Sequence, residues 1–112
     1  MYEVTMDSKQ IDGITVPTWK RDVISCNILS VEAGTNGLKG GDSGHGCRAY
    51  FSIKDECSTD MEVTRFVDKY GRERGFEVRL GGDTELLTTI EALKFIVKVL
   101  EEEKERAGIY DI

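Results

Sequence analysis

Gly41-Asp42-Ser43-Gly44, followed at once by His45, is the stretch whose residue types first suggest chemistry. A serine nucleophile needs a histidine base in hydrogen-bond reach, and that base needs a carboxylate on its far nitrogen. His45 is the chain's only histidine and stands two residues from Ser43, a spacing that makes the approach awkward. No catalysis is expected from this loop, and the chain is read as a non-enzyme. Cys26, Cys47 and Cys57 form no C-x-x-C pair, and the H-x-C spacing of His45 and Cys47 is not a usual zinc knuckle. The three thiols are read as reduced and as small hydrophobes, with neither metal nor cofactor expected.

Anion binding is the other chemistry on offer. Six of the twelve glycines fall between Gly34 and Gly46, so residues 33–47 must be loop. Exposed amides in such loops can cradle phosphates. The pattern G-x-x-x-x-G-K-[ST] is missing, however, and the reading places a strand after the loop, so no nucleotide fingerprint is supported. Lys39, His45 and Arg48 bring cationic donors around the loop, while Asp42 opposes them. Arg21 stands close to the single tryptophan, Trp19, and Phe76 and Arg79 share a strand on opposite faces. Aromatic faces stack on bases and guanidiniums fork onto phosphates. Taken on residues alone, core rings with solvated arginines are the better account.

These residues need elements to hold them. Ile14-Thr15-Val16 is strand-like, and Pro17 is expected to mark its end or an edge. Residues 22–31 are expected as one strand, with Ile24, Cys26 and Ile28 on one face and Val23, Leu29 and Val31 on the other. After the loop, Ala49, Phe51 and Ile53 alternate with polar residues as a half-buried strand. Met61–Val67 and Phe76–Leu80 read as a hairpin around the polar turn of residues 69–75. Thr88-Thr89-Ile90-Glu91 matches a capping box. Ile90, Leu93, Val97 and Leu100 then form the stripe expected to pack on the sheet, widened by Phe95, Ile96 and Val99. The helix should stop near Ala107-Gly108, with its acid-rich end frayed. The expected fold is α+β: a single domain over 1–112, with four or five mostly antiparallel strands and one long C-terminal helix.

Charge and composition narrow the function classes. The chain has 32% charged and 39% hydrophobic residues, and its net charge is −6. Duplex phosphates repel such a chain, so no nucleic-acid polymer is expected as partner. No apolar run approaches the roughly 20 residues that cross a bilayer, so no membrane partner is expected either. Without a basic head and apolar stretch at the start, the expected location is the cytoplasm.

Several segments together resemble a phage and prophage family, the Thoeris anti-defence proteins of the first type. They include Thr18-Trp19-Lys20-Arg21-Asp22-Val23-Ile24-Ser25, Val31-Glu32-Ala33-Gly34-Thr35-Asn36-Gly37 and Gly40-Gly41-Asp42-Ser43-Gly44-His45-Gly46. Arg48, Tyr50, Ser58-Thr59-Asp60-Met61, Gly75-Phe76-Glu77, Gly81-Gly82-Asp83 and Glu91-Ala92-Leu93-Lys94-Phe95 extend the likeness. The resemblance implies a sponge that sequesters cyclic nucleotide immune signals without cleaving them. The ligands implied are cyclic ADP-ribose isomers, with cyclic trinucleotides at a separate site in some members. It also implies a homo-oligomer built on dimers, up to a hexamer, in the host cytoplasm. The ligand-binding set it points to is Arg21, Arg48, Phe76 and Arg106, with His45, Asp42 and Ser43 from the loop. The competing expectation is an acidic, anti-CRISPR-like inhibitor that mimics nucleic acid and binds a host protein. A small hydrolase built on Asp42 and His45 ranks third.

Overall fold

A computed structural model describes residues 4–39 and 46–106. The loop candidates Asp42, Ser43 and His45 lie outside the described residues, as does the expected helix stop at Ala107-Gly108. Among the described residues, six strands precede one helix. They are β1 (Thr5–Ile11), β2 (Ile14–Ile24), β3 (Ile28–Thr35), β4 (Ala49–Cys57), β5 (Met61–Val67), β6 (Glu73–Leu80) and α1 (Asp83–Arg106). The first four form an antiparallel sheet in chain order, and β5 and β6 form a separate two-stranded hairpin, here called the arm. The architecture is α+β. No helix among the described residues is long and apolar enough to cross a membrane.

Four features of the sheet depart from the expectations, one being that β3 takes in Ala33-Gly34-Thr35, which were expected as loop. The run from Asp22 to Val31 is two strands, because Ser25-Cys26-Asn27 turns the chain and Val23 pairs with Leu29. This turn holds no glycine or proline, and Ser25 closes it by donating its N–H to the Asn27 carbonyl at 2.8 Å. Val23, Leu29 and Val31 still share the buried face, since a pair of odd-numbered residues keeps that parity in a hairpin as in a straight strand. Ile24 and Cys26, expected on the other face, are exposed. Pro17 does not end its strand. It sits inside β2 opposite Ser8, one residue beyond the first β2–β3 pair, Thr18 with Gly34. Its missing N–H therefore falls where pairing to β3 has stopped. Strand β1 was not expected at all. The signal for it is Asp12-Gly13 between Ile11 and Ile14, a two-residue turn with φ of +52° and +78°.

The core lies between the sheet and α1. Val23, Leu29, Val31 and Ala33 face Ala92, Phe95, Ile96 and Val99, whose spacing puts them on one side of the helix. This corrects the expected stripe: Ile90, Leu93 and Val97 stay exposed on the helix's outer face. The helix also begins earlier than the capping box implied. Thr88 lies inside it, donating its hydroxyl to the Thr84 carbonyl at 3.0 Å and accepting from the buried Asn27 amide at 3.0 Å. At the true start, Glu85 accepts the Asp60 N–H at 3.2 Å and so ties the arm's base to the helix. That backbone hydrogen bond, with one from its own N–H, holds the Glu85 carboxyl below the usual glutamate range. At the acid-rich end the helix continues through Arg106, where Glu103 is buried and pairs with Arg106 at 3.1 Å.

Candidate functional site

Strand β2 crosses the sheet so that Trp19 and Arg21, two residues apart, both face the helix. The last three turns of α1 lie over them. Arg21 Cζ is 5.8 Å from the centre of the Phe95 ring, and Arg106 Cζ is 5.9 Å from the Trp19 ring. Guanidinium–aromatic contacts of this length are attractive because the ring face is electron-rich. The two stacks border adjoining hollows of about 150 and 210 Å³ that share Val4, Phe95 and Lys98. Joined, they reach the lower end of the roughly 300–1,000 Å³ typical of ligand sites. That is room for a base with its phosphates, held open to solvent on one side.

Two donors in this groove have nothing to bond. Trp19 Nε1 and Arg21 Nε are shielded from solvent and find no hydrogen-bond partner. Buried donors are normally satisfied, so such a pair is where an acceptor from a ligand would be stabilised most. The groove is also locally more positive than the chain. Arg21, Lys94, Lys98 and Arg106 face Glu91, Glu102 and Glu103, a net +1 within a molecule of −6. The arrangement can stack a ring and bond an anion. Among the described residues, no group of three or more His, Cys, Asp or Glu side chains is placed to hold a metal ion.

The candidates from the sequence are thus only partly brought together. Arg21 and Arg106 meet in one groove. Arg48 does not join them: it bonds Asp12 Oδ2 at 3.1 Å and the Cys47 carbonyl at 3.1 Å, at the β1–β2 turn. Seven residues of β2 separate that turn from Arg21, roughly 20 Å at a strand's rise of about 3.3 Å per residue. Phe76 lies on the arm, 56% exposed, with its ring centre 6.5 Å from that of Phe51. The ring beside Arg21 is instead Phe95, which the sequence reading assigned to the helix's apolar face. Phe95, Lys98, Glu102 and Arg106 recur at helical spacing, and that pattern beside Trp19-x-Arg21 was the available signal. A second, polar hollow of about 510 Å³ pairs Lys20 and Arg21 with Asp22 and Glu56, so its charges offset.

No family model matches the chain, and no curated protein or solved structure matches it.

Proposed function

We propose that the protein captures a small cyclic nucleotide and withholds it without cleaving it, acting as an anti-defence sponge in a phage-infected host. The ligand class is a cyclic ADP-ribose isomer or a cyclic trinucleotide, and the working form is a homo-oligomer. One observation carries the reading: two guanidinium–aromatic stacks share a groove that also holds two shielded, unbonded donors. Such ligands combine aromatic bases with several anionic oxygens, which those groups suit. The likeness of the Thr18–Ser25 and Glu91–Phe95 segments to the Thoeris anti-defence family supports the same reading.

Thermal melting against a panel of cyclic ADP-ribose isomers and cyclic trinucleotides tests it. A ligand at a hundred times its dissociation constant should stabilise the fold by about 2.7 kcal/mol. On a domain of this size the midpoint should rise by several degrees. Arg21→Ala should abolish that rise while leaving the unliganded midpoint nearly unchanged. Ligand released by heating should be chemically intact. A flat panel, or recovery of a hydrolysed product, overturns the proposal. The acidity of α1, seven acids to four bases, favours the alternative of a host-protein inhibitor. That alternative predicts a tight protein partner whose binding weakens with salt.

A further inference from the structure

The groove with the two shielded donors also contains a shielded acceptor. Glu103 is 8% exposed and lines the same hollow as Trp19 and Arg106. Its carboxylate pairs with Arg106 at 3.1 Å, and among the described residues it has no other hydrogen bond or ion pair. An ionised carboxylate can accept about four hydrogen bonds, so most of that capacity is unused. The neighbouring pair, Lys98 with Glu102 at 3.6 Å, is exposed at both ends and parts at little cost. Glu103 has no such freedom. An incoming phosphate that drew Arg106 away would leave it a buried charge without a partner, which costs far more than parting an exposed pair. The carboxylate therefore stays in the groove and repels a bare anion, while its free lone pairs call for hydrogen-bond donors. One groove thus presents two vacant donors, Trp19 Nε1 and Arg21 Nε, and a vacant acceptor.

We propose that Glu103 is a specificity-determining residue of this groove: it accepts hydrogen bonds from ribose hydroxyls of the bound nucleotide and turns away phosphates that carry no sugar. The assignment rests on the nucleotide-capture reading and adds to it what the ligand must donate. A nucleotide places its sugar between base and phosphate. With the base stacked on a guanidinium–aromatic pair and phosphate oxygens on the vacant N–H groups, the ribose is the part left to meet Glu103. Adjacent ribose hydroxyls match the two oxygens of a carboxylate, a pairing that dinucleotide-binding folds also use. The same carboxylate holds Arg106 over the Trp19 ring, so it orients one binding group while filtering what that group receives.

Isothermal titration of the full chain with cyclic ADP-ribose, its mono-deoxy analogues and inorganic pyrophosphate tests the assignment. The parent chain should bind cyclic ADP-ribose more tightly than pyrophosphate and lose about tenfold in affinity for at least one deoxy analogue. Glu103→Gln should weaken cyclic ADP-ribose by about the same factor, cease to distinguish that analogue, and bind pyrophosphate more tightly. Glu101→Gln removes the same charge from the separate hollow beside Leu93 and Val97, and should change none of these affinities. If Glu103→Gln shifts both ligands in one direction, the carboxylate only holds Arg106 and the proposal is overturned. A parent chain indifferent to every deoxy analogue overturns it too, by a measurement that needs no variant to fold. In both cases cyclic ADP-ribose still binds, so capture itself survives. A parent chain that takes up neither cyclic ADP-ribose nor pyrophosphate overturns this assignment together with the groove as a nucleotide site.

Discussion

Around Leu29, apolar side chains of the sheet meet those of α1 with almost none of their surface left in water, whereas in the arm Val63 and Val78 pair across two strands and stay half exposed. Both regions are antiparallel strands with β-branched residues at alternating positions. What separates them is a second layer. The four-stranded sheet has a helix over one face, whereas among the described residues no layer covers the arm, which is met by a ring contact from Phe51 to Phe76 and tied at its base to Glu85. Alternation makes a strand able to be buried, but it does not provide what buries it. The candidate groove belongs to the covered region, where packing holds Trp19 and Phe95 in place under their guanidiniums. The arm, held by the β5–β6 backbone ladder with exposed ion pairs such as Arg79 with Glu62 beside it, presents surface instead.

The largest difference between the regions should appear on truncation. Leu29→Ala removes a fully buried side chain and should cost about 2–5 kcal/mol in urea unfolding. Val63→Ala in the arm, measured at a dilution that keeps the chain monomeric, should stay within about 0.5 kcal/mol. Equal losses would mean that the arm is covered within one chain, and the contrast would fail. Next comes Gly34→Ala. A Cβ there would lie 2.0 Å from the Pro17 carbonyl oxygen, which requires the β2–β3 backbone to part, for a loss of about 1–3 kcal/mol. Gly71→Ala in the arm meets no neighbouring atom, although its φ of +82° adds local strain, so it serves as the milder reference.

The smallest expected effect lies at the joint between the regions. The Glu85 carboxyl is a stronger acid in the folded chain than in the unfolded one, chiefly because the Asp60 N–H donates to it. The unfolded state therefore takes up the proton first as the pH falls. The stabilisation is complete near neutral pH and is lost as the pH drops through and below the ordinary glutamate range. Glu85→Gln should accordingly flatten the acid limb of the stability curve while altering stability at low pH least. Hydrogen-exchange protection at Asp60 and Gly81, taken relative to the intrinsic amide rate at each pH, should fall over the same range, and a pH-independent protection there would show that the joint is held by other contacts.

Much of the architecture was legible in the residues. The arm reads directly from the alternation at Met61–Val67 and Phe76–Leu80, and the helix from its periodic apolar positions. The hairpin at Ser25-Cys26-Asn27 was not, because it holds no glycine or proline, Ser25 and Asn27 stand within a β-branched run, and the parity of Val23 and Leu29 is the same either way. Asp12-Gly13 did signal β1, whose own alternation is weak because Met6 and Ile11 are its only large apolar residues. Of the candidate site, Arg21 and Arg106 could be chosen as types, but not as neighbours.

By itself the sequence determined the arm, the strand after the glycine-rich loop and the helix, since period and turn chemistry are local properties of the chain. It also set the acidic balance of α1 against the basic arm. Only the tertiary structure decided which helix face meets the sheet. Two apolar stripes lie side by side on α1, and the small Ala92 lets the one with Phe95, Ile96 and Val99 approach the sheet closely, leaving Leu93 and Val97 outside. That choice set Phe95 beside Arg21 and Arg106 over Trp19. Residues 74 and 87 positions apart in the chain are brought together by packing, which no local pattern encodes.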